Sequence, residues 1–313
     1  MRKYVFCAAL CVLMLATSCT SCRDKKPQNK GAKDGEVVTG LFDRNAAERA
    51  TREPDATTAA AATASPEADR ERRMELPARL TGAKELLLKR EGYYVSYNRD
   101  RRVPNWVAWR LTADQTSGKH NRSVQMFNED PEVPTPRATD YDYSGSGYDR
   151  GHLCPSGDNK WSQKAQTESF LFTNVCPQNH ELNKGDWNDL EQQCRYWAKR
   201  QGTLFIVTGP VFYKGVKKTI GRNKVAVPDA FFKVLLDDGR KAKAIGFVYP
   251  NRGGHNDMTH YVKSVDEVER ITGIDFFPML DDRVENQIEA ATYQRMVDDW
   301  QLQKAVEYYN NRR

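Results

Sequence analysis

The sequence predicts an α+β domain in which helices flank a central antiparallel sheet. Short aromatic or apolar runs bounded by turn residues recur from Tyr93 to Tyr249, as is typical of such strands. Apolar residues three and four positions apart predict helices between and after these runs. The preceding stretch, Thr20 to Pro77, lacks the periodic apolar residues that a core needs. We therefore divide the chain into a leader over residues 1–18, a disordered tether over 19–85 and one folded domain over 86–313.

The leader resembles the signal peptide of a bacterial lipoprotein. A short basic start, Met1-Arg2-Lys3, precedes an apolar run from Tyr4 to Ala16 that is too short to span a membrane. Small residues then lead to Cys19, so the pattern predicts acylation of Cys19 and export to the cell envelope. Cys22 is an alternative site, and cleavage by ordinary signal peptidase would release a free product. The tether would hold the folded domain away from the membrane, so that a lipid-anchored protein could contact a large polymer. The anchor could face either the periplasm or the cell exterior.

The strand candidates share aromatic and β-branched residues and are bounded by turn residues. In chain order they are Tyr93–Tyr97, Trp106–Leu111, Phe170–Asn174, Thr203–Thr208, Phe231–Leu236 and Ala242–Tyr249. The first two form a pair whose aromatic residues are expected in the core, and Asp237-Asp238-Gly239 is expected to join the last two. The polar, proline-containing stretch 112–147 is predicted to be a loop.

Four helices are predicted. One lies within residues 159–172, and a longer one follows Asn183 and ends near Gly202. Ser264 and Glu267 have the spacing of a capping box, which predicts a helix from there to about Thr272. Residues 283–309 are predicted to be one charged amphipathic helix that covers the surface.

The segment Asp149-Arg150-Gly151-His152 begins a set of groups suited to phosphodiester cleavage. Such a bond requires an activated water and neutralisation of developing charge. An imidazole such as His152 is mostly neutral at physiological pH and can accept a proton. The amide oxygen of Asn183 suits a hard cation such as Mg²⁺, and arginines match phosphate. The net charge of +6 is compatible with a polyanionic substrate but does not establish one.

Residues Asn183, Trp187, Glu191 and Arg195 are spaced by four. On one helix they would form a single ridge. The metal ligand, a carboxylate and an arginine would then face one site.

In these motifs the chain resembles the DNA/RNA non-specific endonucleases, which are sugar-non-specific nucleases of the ββα-metal (His-Me finger) fold. The resemblance rests on Asp149 to His152 and on Asn174, Pro177, Gln178, Asn183, Trp187, Leu190 and Glu191. It implies that His152 is the general base and that Asn183 is the sole direct protein ligand of Mg²⁺, with Mn²⁺ as a substitute. It also implies that Glu191 reaches the metal through water. The implied substrates are DNA and RNA, cut to 5′-phosphate ends; a nucleic-acid-binding lipoprotein without turnover is the alternative.

The resemblance further implies phosphate contacts from Arg150 and Arg195, with Arg122 as the candidate for the family's upstream arginine. Asn174 belongs to the implied catalytic set, either orienting His152 or touching phosphate; a strand-end amide that caps a turn is the alternative. Asp149 either steers the imidazole or binds backbone amides. The oligomeric state is not predicted.

Two cysteines, Cys154 and Cys176, lie inside the motifs. In an oxidising compartment they could form a disulfide beside the site. Free thiols are one alternative, and a zinc site with His152 and His180 is another. Cys194 is predicted to be a buried, inert thiol on the apolar face of its helix.

Overall fold

A seven-stranded antiparallel sheet lies at the centre of the described chain, as the sequence predicts. The structure is a computed structural model, and it describes residues 65–70, 72–254 and 256–312. The sheet has the order β1-β2-β3-β6-β9-β10-β11, and two hairpins, β4-β5 and β7-β8, lie outside it. The strands are β1 Leu86–Lys89, β2 Tyr94–Asn98, β3 Val103–Thr112, β4 Asp149–His152, β5 Val175–Gln178, β6 Thr203–Val211, β7 Thr219–Ile220, β8 Val225–Ala226, β9 Ala230–Asp237, β10 Lys243–Pro250 and β11 Val262–Lys263.

The helices flank this sheet. They are α1 Pro66–Asp69, α2 Asp140–Tyr143, α3 Gln163–Glu168, α4 His180–Lys184, α5 Asp186–Gln201, α6 Val265–Thr272, α7 Asp282–Glu289, α8 Tyr293–Asp299 and α9 Leu302–Asn310. The capping box of Ser264 and Glu267 begins α6, and Gly273 ends it in a left-handed conformation, which confirms that prediction. Among the described residues, none of the helices has the length and apolar character needed to cross a membrane.

Strand alternation divides the core into two layers. In β9, Phe231 and Leu235 belong to the layer that contains α5, whereas Phe232 and Val234 belong to the layer on the opposite face. Both faces are covered, which explains why β9 is apolar at nearly every position. The tryptophans at 106 and 109 are buried, as predicted, at 0% and 2% exposure. The motif hairpin and α5 therefore pack on one face of the sheet, and α6 and α7 pack on the other face.

Order begins before the predicted boundary at Leu86. Leu76 is fully buried in the layer opposite α5, and Arg70 forms an ion pair of 2.9 Å with Glu85. The predicted tether over 19–85 is therefore wrong for the described residues 65–70 and 72–85, because Leu76 is buried in the core and Asp69 accepts hydrogen bonds from Lys89 and Tyr94 of the sheet. The predicted leader, Cys19 and the tether up to residue 64 lie outside the described residues.

The C-terminal region is three helices, so the prediction of one helix over 283–309 is wrong. Thr292 caps the start of α8 through its side chain, and Gln301 adopts a left-handed conformation with φ 51° between α8 and α9. The first feature separates α7 from α8, and the second separates α8 from α9. The helices also pack into the core rather than lying on the surface, since Val297, Trp300 and Leu302 are at most 3% exposed.

Candidate active site

The motif segments form a β-hairpin followed by a helix. Strand β4 pairs with β5 in antiparallel register, with Gly151 opposite Cys176 and His152 opposite Val175. A Cβ atom on Gly151 would lie 2.3 Å from the Gln178 side chain, so the hairpin requires glycine there. The predicted strand over 170–174 is wrong, because residues 172–174 form a 3-10 turn and β5 begins at Val175.

The helix after the hairpin is broken, contrary to the predicted ridge. Gly185 has φ −102° and ψ −111°, so α4 ends before it and α5 begins after it. Asn183 therefore lies on a different helix from Glu191 and Arg195. Trp187 points into the core, where its ring centroid is 5.6 Å from that of Phe231. Glu191 and Arg195 remain one turn apart and both are half-buried.

His152 packs against two aromatic rings that also contact each other, with centroids 5.1 Å apart. Its ring centroid lies 5.0 Å from that of Phe127, in a tilted arrangement, and 4.8 Å from that of Phe170, in an edge-on arrangement. Its Nε2 is shielded from solvent and has no hydrogen-bond partner within the described residues. Burial, and then the charge of Arg122, lower the pKa of His152 to about 3. The imidazole is thus neutral, with one ring nitrogen available to accept a proton.

Asp149 holds the predicted metal ligand. Its carboxylate accepts a hydrogen bond of 2.9 Å from Nδ2 of Asn183 and lies 2.9 Å from Nδ1 of His180. Both sequence hypotheses for Asp149 are therefore wrong, because within the described residues it contacts neither the ring of His152 nor a backbone amide. Since the amide nitrogen of Asn183 is engaged, its Oδ1 is left without a hydrogen bond among these residues. This orients a carbonyl oxygen for another ligand.

Arg195 and Glu191 form the second part of the site. Nη1 of Arg195 lies 2.9 Å from the buried carboxylate of Asp158, and the guanidinium packs so tightly on Gly157 that a Cβ there would lie 2.8 Å from it. Glu191 makes no hydrogen bond or ion pair within the described residues. Burial raises the pKa of Glu191 to about 7, although Lys233 and Arg195 act to lower it.

Lys233 is a site residue that the motifs do not identify. It is 1% exposed in the middle of β9, with Nζ 4.6 Å from the Trp187 ring centroid and 5.1 Å from that of Trp109. Trp109 in turn donates a hydrogen bond of 3.2 Å to Asp158. The only sequence signal was a charged residue inside an apolar strand. Its charge favours the ionised form of Glu191 from beneath the site.

Two further arginines lie around His152. Nε of Arg150 is 2.6 Å from Asp140, and its guanidinium lies 5.8 Å from the centroid of Phe127, the ring that contacts His152. Arg122 is exposed, and its charge acts on both His152 and Glu191. Because the charge of Arg122 acts on both groups, the imidazole of His152 and the carboxylate of Glu191 lie near each other. The structure thus brings together Arg122, His152, Glu191 and Arg195, and β4 links them to Asn183 through Asp149.

Asn174 has a structural position. It is fully buried; its Oδ1 accepts a 2.9 Å hydrogen bond from the backbone N–H of Cys154, and its Nδ2 donates to the carbonyl oxygens of Cys154 and Ser169. With these groups engaged, the side chain has no free donor for phosphate. The predicted catalytic role is therefore corrected: Asn174 fixes the backbone that follows His152.

The cysteines are free thiols, so the disulfide hypothesis is wrong for this structure. Cys176 lies opposite Gly151 within the hairpin, whereas Cys154 lies two residues beyond His152, the last residue of β4. The zinc hypothesis also lacks support, because within the described residues His152, Cys154, Cys176 and His180 do not bring their ligand atoms together as a metal-binding group. Cys194 is buried, as predicted.

Comparison with known proteins gives consistent similarities. Residues 73–283 match the family model described as DNA/RNA non-specific endonuclease. The chain is 39% identical over 204 residues to "Nuclease EXOG, mitochondrial" of Danio rerio, a match that covers 60% of each chain. It is 38% identical over 221 residues to "Nuclease C1" of Cunninghamella echinulata var. echinulata, covering 66% of this chain and 88% of that protein.

A solved structure is also similar. It is described as "Crystal structure of the EndoG/EndoGI complex: Mechanism of EndoG inhibition" and matches with a TM-score of 0.63 and 28% identity, covering 71% of this chain and 95% of that one. The residues of the hairpin and of α5 lie inside the matched range 73–283. Helices α8 and α9 lie beyond it.

Proposed function

Because this chain belongs to the DNA/RNA non-specific endonuclease family, we propose that it hydrolyses internal phosphodiester bonds of DNA and RNA. The observation that carries the proposal is the neutral imidazole of His152 on the four-residue strand β4, whose Asp149 holds the side chain of Asn183. Phosphodiester hydrolysis requires a base that activates water and a metal that stabilises the leaving oxygen. The imidazole meets the first requirement, and the oriented amide oxygen could hold the metal.

In this mechanism the neutral imidazole of His152 accepts the proton of the attacking water. A base whose pKa is about 3 is weak in the free protein, although it is always in the correct protonation state. A phosphodiester anion bound nearby would favour the imidazolium form and raise that pKa. The base therefore becomes stronger when substrate is present.

The donor set fits a hard cation. Asn183 would contribute its Oδ1 directly, and Glu191 would act through water, since both lack other partners among the described residues. When bound, Mg²⁺ or Mn²⁺ supplies Lewis-acid stabilisation of the leaving oxygen. Burial raises the pKa of Glu191 to about 7, and a nearby divalent cation would favour its ionised form.

Three arginines would bind the substrate. Arg122, Arg150 and Arg195 carry permanent charges, and their guanidinium groups match phosphate oxygens. Contacts to phosphate position a nucleic acid without identifying its bases. We therefore expect weak sequence preference, on single or double strands.

A plasmid-nicking assay with the purified chain tests this function. We expect supercoiled DNA and a structured RNA both to be cut in Mg²⁺, cutting to stop in EDTA, and activity to return when Mg²⁺ is added in excess. A folded protein that retards DNA in a gel but leaves it intact under all three conditions would indicate a binding protein without turnover.

The protonation state of His152 can be measured directly. In metal-free protein labelled with ¹⁵N-histidine, we expect the His152 ring nitrogens to show no titration between pH 5 and pH 8, because burial holds its pKa at about 3. An unperturbed histidine titrates near 6.5. An inflection of the His152 signals near that pH would show that the ring is solvated and would contradict the proposed environment. His152→Gln identifies the signals.

We also propose export and lipid attachment at Cys19, through a tether that ends before residue 65. The support is the basic, apolar and small-residue sequence of residues 1–18. Mass spectrometry of the mature N-terminus tests this proposal: a diacylglyceryl modification on Cys19 is expected, and a free, unmodified product would overturn it.

A further inference from the structure

Three carboxylates meet on the face of the sheet opposite the candidate active site. Asp266 and Glu269 lie three residues apart on α6, and Glu289 is the last residue of α7. One oxygen from each lies within 4.8 Å of the other two. Because residues three apart share a helix face, α6 presents two of these groups together and α7 adds the third.

Glu289 is the unusual member of the group. It is 5% exposed, and its Oε1 is shielded from solvent without a hydrogen-bond partner among the described residues. Asp266 is exposed and Glu269 is half-buried, so the cluster opens to solvent on one side. A buried carboxylate without a partner costs free energy, which a bound ligand would remove.

The surroundings add negative charge and no direct positive partner. Asp275 and Glu285 act electrostatically on Glu289, and no ion pair in the described part of the chain involves any of the five acids. Among the described residues, the one direct contact to these carboxylates is a 2.8 Å hydrogen bond from the backbone N–H of Phe276 to Glu269. Burial, and then the neighbouring carboxylates, raise the pKa of Glu289 to about 9. This carboxyl group is therefore neutral at physiological pH, whereas a bound cation would stabilise its ionised form.

We propose that Asp266, Glu269 and Glu289 bind a Ca²⁺ ion. Calcium takes oxygen ligands at about 2.3–2.6 Å in flexible geometry, so two of its ligands can lie up to roughly 5 Å apart. Mg²⁺ demands stricter octahedral geometry and retains more water, and zinc sites generally use histidine or cysteine ligands. Only one side of the cluster is open, which leaves room for waters to complete the coordination.

The ion would connect the family fold to the C-terminal helices. Glu289 lies beyond residue 283, where the family match ends, whereas Asp266 and Glu269 lie within it. A shared cation would therefore fasten α7, and the helices after it, to α6. Its role would be in stability and would be independent of the chemistry at His152.

Calcium binding to the purified full chain tests the proposal. The protein carries Asn183→Ala, so that the candidate catalytic metal site does not contribute, and it is titrated with CaCl₂ by calorimetry after treatment with EDTA. Glu289→Gln in that background removes the buried ligand charge with little change in volume. Glu307→Gln, an exposed residue of α9, is the matched control.

We expect one saturable Ca²⁺ site, a calcium-dependent rise in Tm, at least a tenfold weaker affinity in the Glu289→Gln protein, and no change with Glu307→Gln. Absence of saturable Ca²⁺ binding would overturn the proposal, as would equal binding by the Glu289→Gln protein. A Glu289→Gln protein that is more stable and indifferent to Ca²⁺, from a parent that is also indifferent, would show that Glu289 is simply protonated. If Glu289→Gln does not fold, Asp266→Asn at the exposed ligand replaces it and is judged by the same outcomes.

Discussion

Replacing His152 with alanine is expected to lower kcat for plasmid cleavage by roughly 10²–10⁴-fold, the usual contribution of a general base. The imidazole would be lost, and no second histidine of the described chain packs against Phe127 and Phe170. Single-turnover cleavage in saturating Mg²⁺ measures the effect. The substrate Kd should change little, because the arginines supply most of the phosphate contact.

Two controls separate chemistry from folding in this variant. Circular dichroism and thermal unfolding should show a native fold, with a loss of stability no larger than the removal of a half-buried side chain brings, about 1–3 kcal/mol. Added imidazole should restore part of the activity of His152→Ala, because it can occupy the space and accept the proton. A folded alanine variant with unchanged kcat would remove His152 from the mechanism.

Replacing Asn183 with alanine is expected to raise the Mg²⁺ concentration needed for half-maximal activity by about 100-fold or more. Changes to residues that only support a ligand typically cost 10–100-fold, and Asn183 is proposed as the ligand itself. The amide whose Nδ2 is held by Asp149 would be absent, so no oriented carbonyl oxygen would remain there. Activity measured across a wide Mg²⁺ range gives the shift.

Asp149→Asn provides the matched comparison, because it keeps the shape of the side chain and removes the charge that holds the Asn183 amide and contacts His180. Its expected effect is smaller, about 10–100-fold in Mg²⁺ requirement. The double variant His152→Ala/Asn183→Ala tests whether the two groups act in one site. If they do, it should lose little more activity than His152→Ala alone. Unchanged Mg²⁺ dependence in Asn183→Ala would refute the ligand assignment.

The sequence by itself determined the parts of this protein that depend on neighbouring residues. Aromatic runs bounded by turns located the main strands, and the buried Trp106 and Trp109 confirmed their core role. The capping box at Ser264 placed the start of α6 correctly, because capping involves residues only three apart. The two motifs also identified the family, and they supplied His152, Asn183, Glu191 and the arginines as hypotheses.

Tertiary structure decided the features that depend on residues far apart in the chain. The spacing from Asn183 to Arg195 suits one helix, but Gly185 breaks it, and Trp187 turns to the sheet. Cys154 and Cys176 stay unpaired within the folded chain, and the partners of Asn174 lie 5 and 20 positions away along the chain. Lys233 became part of the site only when β9 packed beneath α5. Spacing along the chain specifies local conformation, whereas desolvation and side-chain partners follow from strand pairing and packing, which no local pattern encodes.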